Sequence, residues 1–192
     1  MNTEKLYESW AGRNPYWEIR YEPIIKTYCD YGKGATSLRE SRGKLFGGGY
    51  ELFIIAFFIG LYFNKKRALV EDSSKKKQFG QPIRFWGNLD SVKDRKAYPK
   101  LREFIFVSLV AKTDLDFIAL DKDEISLQKA VGTLMQTMEE YANFGFNYIE
   151  DKINENPNHF YSETAFLELF MSFGTTDNPE ELSYDDEPES LD

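Results

Sequence analysis

One stretch constrains the fold more than any other. Leu127, Val131, Leu134, Met138, Ala142, Gly145, Ile149 and Ile153 recur at spacings of 4, 3, 4, 4, 3, 4 and 4. At 3.6 residues per turn this pattern lays a continuous apolar stripe along one long helix. A stripe of that kind needs a neighbour to bury it. Gly145 permits a close approach by that neighbour, Tyr141 and Phe146 widen the stripe, and the segment from Asn154 to Pro157 ends it.

The most apolar run, YELFIIAFFIGLYF from Tyr50 to Phe63, spans 14 residues. A membrane-crossing helix needs roughly 20, so despite the flanking NKKR the run reads as a central buried helix. Glu51 at its start is either a buried general acid with a raised pKa or a first-turn carboxylate stabilised by the helix dipole. No partner carboxylate is identifiable from spacing, which favours the dipole. Pro23 suits the first turn of a short helix ending before Gly32, with Cys29 as a small core thiol.

Pro99 opens another helical pattern in which Leu101, Phe104, Ile105, Ser108, Leu109 and Lys112 share a face. Leu115, Phe117, Ile118 and Leu120 continue it. Asp121, Asp123 and Glu124 place negative charge at the start of the long helix, capped by Ser126 or Asp123. Ser162 caps a last helix, ETAFLELFMSF, closed by Gly174, with Phe166, Leu167, Phe170 and Phe173 packing on the core. Residues 64–80 read as an extended basic loop, and QPIRFW (81–86) as a short strand or extended arm. The expected fold is mainly α: a compact single-domain helical bundle over residues 1–174, with long basic loops and at most a short strand or hairpin. Residues 175–192 carry eight acids and no base, the composition of a disordered tail.

Composition excludes several chemistries. The 192 residues are 42% hydrophobic and 16% aromatic, enough for a core and too apolar for wholesale disorder. Cys29 is the one cysteine and His159 the one histidine, so no disulfide forms within a chain and Cys/His zinc or haem-attachment sites lack ligands. His159, in NPNHF, is the sole histidine for a Ser-His-Asp triad, yet no G-x-S-x-G elbow accompanies it. DLDFIALDKDE lacks the glycine and terminal Glu of a calcium loop. The glycine-rich segment 32–49 is not a P-loop, because Leu45 follows Lys44 where Ser or Thr is needed. The expectation is therefore no cofactor, no metal and no catalytic residue, although the abundant carboxylates keep a two-carboxylate hydrolase open as an alternative. Met1 to Lys5 is polar with no apolar core of a secretory signal, so the expected location is cytoplasmic, without membrane association.

Charge is laid out in blocks. Residues 1–25 hold 3 basic and 4 acidic side chains, residues 26–102 hold 17 and 7, and residues 103–192 hold 4 and 21. The net charge of −8 hides a basic middle at +10. Its clusters include Lys65, Lys66 and Arg67; Lys75, Lys76 and Lys77; and Lys93, Arg95 and Lys96, with Arg84 between. Such clusters neutralise phosphates and bind in a salt-sensitive way. Each cluster alone is better explained as solvated surface, partly neutralised by the acidic half, and only together do they favour a binding surface. No motif that reads base sequence is visible.

The order of segments adds a resemblance. YELFIIAFFIGLYFNKKR leads through a basic loop to QPIRF, then to LREFIFVSLVAKTDLDFIAL and finally LMQTMEEYANFGFNYIEDKI. Over roughly residues 46–153 this resembles the small accessory proteins associated with bacterial DNA phosphorothioation (Dnd) defence systems. The matching positions are Gly60, Pro82 to Phe85, and Glu140, Tyr141, Ala142, Asn143 and Gly145. The resemblance implies membership of a DNA modification or phage-defence locus and carries no catalytic residues. Asn143 could bond a backbone or a partner, but the simpler expectation has Tyr141 covering the core edge and Asn143 facing solvent. The expected function is thus a non-enzymatic accessory protein that binds DNA, or another subunit of a defence complex, through the 26–102 block. The alternatives are a protein–protein adaptor or homo-oligomer without DNA binding, and the hydrolase.

Overall fold

The apolar run forms helix α3, Gly49–Tyr62, at the centre of the fold. It is apolar on every side, which is stable only where every side is covered, and Leu52, Phe53, Ala56, Phe57 and Ile59 are fully buried. Among the described residues no helix is long and apolar enough to cross a membrane. Glu51 stands in the first turn, where its Oε2 accepts the Gly47 N–H at 2.9 Å. The computed structural model describes residues 2–29, 45–87, 98, 100–162 and 164–175. Within them lie seven α-helices and one two-stranded ribbon, so the fold is mainly α.

The stripe falls on helix α6, Leu127–Glu155, and buries Val131, Leu134, Met138, Ala142, Gly145 and Ile149. Gly145 makes the close approach expected of it, and Gly60 of α3 makes a second. A Cβ on Gly145 would stand 1.8 Å from the Ala56 carbonyl oxygen, and one on Gly60 would stand 2.2 Å from that of Tyr141. Ala56 and Gly60 are one turn apart on α3, as are Tyr141 and Gly145 on α6, so the helices cross backbone against backbone. Phe53 fills the space beside the crossing, with its ring 5.5 Å from Phe79, 5.8 Å from Trp86 and 6.1 Å from Phe146.

Helix α1, Asn2–Ala11, was not expected from its polar start. It buries Leu6 and Trp10 four residues apart. Tyr7 and Trp10 hold Phe106 at ring distances of 5.2 and 5.4 Å. That contact sets the rotation of α4, Leu101–Lys112, and corrects the expected face: Ile105, Phe106 and Leu109 are inside, while Phe104 is 61% exposed. The apolar pattern does not continue unbroken either. The Asp116 carboxylate accepts the Ala119 N–H at 2.9 Å and starts a separate short helix α5, Phe117–Asp121. Ser126 caps α6 through the Lys129 N–H at 3.2 Å, whereas Asp123 takes a left-handed turn conformation with φ 59°.

Pro23 lies in the first turn of α2, Glu22–Tyr28, which ends on the buried Cys29. The strands lie elsewhere than expected. β1, Tyr16–Glu18, pairs antiparallel with β2, Lys76–Gln78, setting Glu18 opposite Lys76. QPIRFW instead folds as a 3-10 turn, Ile83–Phe85, led by Pro82, with Ile83 buried and Phe85 half exposed. The Ile83 N–H is taken by the Arg13 carbonyl at 3.0 Å, so this segment docks on the end of α1 and cannot pair as a strand.

Contacts divide the chain into two units, Met1–Glu150 and Asp151–Asp192. The first holds 23 basic and 20 acidic side chains, the second 1 and 12. In the second unit the Ser162 Oγ accepts the Thr164 N–H at 3.3 Å ahead of α7, Ala165–Thr175. Gly174 therefore lies inside this helix and does not close it. Phe166 is buried and stacks on Phe160 at 4.4 Å, while Leu167 is 60% exposed, contrary to expectation. His159 is an exposed loop residue against the edge of Phe160. The Phe173 side chain, residues 176–192 and the glycine-rich residues 32–44 lie outside the described residues.

Candidate nucleic-acid interface

The basic segment that follows α3 is fixed from its first residue. Asn64 sits at φ 49°, a left-handed conformation that Asn tolerates better than most side chains. Its N–H bonds the Leu61 carbonyl at 3.1 Å, and the Lys65 N–H bonds that of Gly60 at 3.0 Å. These two bonds are the Schellman closure of a helix, and they turn the chain sharply out of α3. The Asn64 side chain is also held, accepting from the Tyr141 hydroxyl at 3.3 Å and from Lys112 Nζ at 2.9 Å.

From there the strap runs across α6, where Glu140, Tyr141 and Asn143 hold it. The Arg67 N–H donates to the Glu140 carbonyl at 3.0 Å. Lys66 Nζ lies 5.1 Å above the Tyr141 ring. Asn143 Nδ2 donates to the carbonyls of Arg67 and Ala68 at 3.2 and 3.0 Å, and to Glu18 Oε1 at 3.0 Å. Asn143 is only 3% exposed, so the solvent-facing expectation is overturned. Burial requires hydrogen-bond partners; the strap's carbonyls and Glu18 supply them for Nδ2, while the Oδ1 has none among the described residues.

Glu18 completes the anchor. It is 4% exposed on β1 and receives the Val70 N–H at 2.9 Å and Arg20 Nε at 2.7 Å. Burial alone would raise its carboxyl. The hydrogen bonds from Arg20, Val70 and Asn143, with the Arg20 charge, outweigh burial and hold it below the ordinary carboxylate range. Arg20 spans onward to Glu150 Oε2 at 2.8 Å and to Asn147 Oδ1 at 3.4 Å, and also bonds the Tyr21 hydroxyl. Asn147 in turn accepts from Arg67. Glu139, one turn before Asn143 on α6, accepts the Tyr16 N–H at 2.8 Å and ties β1 to the helix. Burial pushes its carboxyl up to about 7, against the lowering effects of that N–H, Lys76 and Arg13.

The candidate cations fall into three groups. Lys65, Lys66 and Arg67 are exposed on the strap. Lys75 and Lys77 are exposed and Lys76 half-buried on the turn and strand that follow; Lys75 lies loosely 3.7 Å from Asp72, while Lys77 meets Glu22 at 3.0 Å. Arg84 is exposed near Phe85, with its guanidinium close to Gly12 at the end of α1. Lys93, Arg95 and Lys96 lie outside the described residues. The two halves of the strap meet at a cleft of about 240 Å³ lined by Glu18, Ile19, Arg20, Val70, Ser74 and Lys75. Among the described residues no group of three or more His, Cys, Asp or Glu could hold a metal ion.

Sequence reasoning missed Glu18, Arg20, Asn64 and Glu139. Only Glu18 carries a visible signal, as an acid set within the aromatic run PYWEIRY. Comparison with family models, with curated proteins and with solved structures finds no match.

Proposed function

We propose that this protein is a non-enzymatic accessory protein of a DNA-directed defence system, docking on DNA phosphates through the basic strap 64–77. The observation that carries the reading is the anchoring of the strap. Its backbone is tied at Lys65, Arg67, Ala68 and Val70, while Lys65, Lys66, Arg67, Lys75 and Lys77 stay exposed. Cations on a fixed backbone meet a phosphate array without first being ordered, so less affinity is lost to ordering the loop on binding. The Dnd resemblance supports the same reading, because three of its helix residues, Glu140, Tyr141 and Asn143, grip the strap.

The test is fluorescence anisotropy with labelled DNA across a salt series. Affinity falls as salt rises, with a log–log slope of about −0.9 for each duplex phosphate neutralised. Replacing Lys65 and Lys75 by Glu, which leaves the anchoring contacts of Lys66, Arg67, Ala68 and Val70 intact, abolishes binding. Absence of binding by the wild type at low salt refutes the reading. An adaptor role has its own support in α4, where Phe104 and Val107 share an outward face at 61% and 64% exposure. Under that reading Val107→Glu abolishes capture of a partner protein and leaves DNA affinity unchanged.

A further inference from the structure

We propose that the cleft beneath the strap takes one unpaired nucleobase, making single-stranded DNA the preferred form of the ligand. This inference rests on the phosphate-docking reading and adds a base to it. The hydrogen-bonding edge of Arg20 is already committed: Nε to Glu18, Nη1 to Glu150, and Nη2 to the Tyr21 hydroxyl and Asn147. Tyr21 covers one face of the guanidinium, 4.2 Å from its carbon to the ring centroid. Arg20 is one wall of the cleft, and with its edge and one face engaged, the surface we assign to a ligand there is its other flat face. A guanidinium plane held rigidly by two carboxylates is a stacking platform for a planar ring. Ile19 and Val70 add aliphatic walls, and the Lys75 side chain, 70% exposed, stands at the rim where the phosphate attached to a bound base would lie.

Size favours one ring system. The cleft's 240 Å³ falls below the roughly 300–1,000 Å³ of pockets that enclose drug-sized ligands. A base inside a duplex cannot reach such a cleft without being unstacked, whereas an unpaired base is free to enter.

The experiment compares three labelled oligonucleotides of equal length at one low salt concentration: a single strand, its duplex, and an abasic strand with the same backbone and no bases. The single strand is expected to bind the wild-type protein about tenfold or more tightly than the abasic strand, the scale of one stacked base. Val70→Trp, which fills the cleft, brings the single strand down to the abasic affinity and leaves the abasic affinity unchanged. Ile19→Ala, a milder change, narrows the gap, and thermal melts confirm that both variants fold. Equal wild-type affinity for the abasic and base-bearing strands overturns base insertion and leaves phosphate docking standing. No binding of any of the three overturns both.

Discussion

Replacing Gly145 with Ala adds one methyl group at the closest point between α3 and α6. That methyl would lie 1.8 Å from the Ala56 carbonyl oxygen, 2.5 Å from its carbon and 2.7 Å from its Cα. All three are backbone atoms in the middle of a buried helix, so no side chain can rotate out of the way. Reaching even a 3.0 Å contact requires the helices to part by at least about 1.2 Å along that line, and gaps of 0.5–1 Å already forfeit a quarter to a half of a dispersion contact. The cost belongs at or above the top of the roughly 1–3 kcal/mol typical of overpacking. Helix propensity opposes it, since Ala is favoured over Gly in a helix interior by about 1 kcal/mol. The net expectation is a loss of at least about 2 kcal/mol. Gly132 supplies the control, being exposed on the same helix with nothing within 4 Å of a Cβ. There only the propensity acts, and Gly132→Ala should stabilise by about 0.5–1 kcal/mol. Urea unfolding followed by the fluorescence of Trp10, Trp17 and Trp86, all fully buried, reads both variants. At about 2–4 °C per kcal/mol, melting should fall by about 4 °C or more in the first variant and rise by a few degrees in the second. If both variants shift in the same direction, the helices do not cross backbone against backbone.

Two further outcomes concern the polar anchor. Glu139 has a folded pKa of about 7, above the ordinary 4.5, so the folded state binds the extra proton between those values and stability falls as pH rises through that window. Glu139→Gln should flatten the decline and gain about 1–3 kcal/mol at pH 8 in denaturant titrations; an unchanged slope from pH 5 to 8 would show that Glu139 is not the responsible group. Asn143→Leu keeps the volume but removes the donor shared by Glu18, Arg67 and Ala68. It should cost about 2–4 kcal/mol in urea unfolding. Glu18, held low in the wild type, contributes stability that is lost as pH falls through its folded pKa. Without Asn143 that acid limb should begin at higher pH, and a limb that stays in place would mean Asn143 does not help to hold Glu18 ionised.

The difference between what the sequence made legible and what it hid follows from the range of the interactions. The α6 stripe and the all-round apolar α3 are local periodicities, and a period of 3.6 residues needs no knowledge of the partner. Even Gly145 could be read as a contact point, because a glycine within an apolar stripe has few other uses. Which way α4 faces was beyond reach. Phe104 and Phe106 are both plausible inward residues on pattern alone, and the choice falls to Tyr7 and Trp10, almost a hundred residues earlier in the chain. The site was hidden for the same reason in stronger form. Glu18 and Asn143 are separated by 125 residues, and each alone looks like a polar side chain that belongs in water. Only their meeting makes both buried: the strap's carbonyls take the Asn143 amide, and Arg20 and the Val70 N–H balance the Glu18 carboxylate. The charge layout of the sequence pointed to residues 65–77, but charge says nothing of whether a loop is loose or fixed. Its fixity comes from Asn64, which closes α3, and from an asparagine on α6 that reaches across to hold the backbone. A basic loop of identical composition without those two residues would have the same charge and would keep only the ties from Arg67 to Glu140 and from Val70 to Glu18 ahead of β2. The strap's claim to be an interface therefore rests on its neutral asparagines as much as on its lysines.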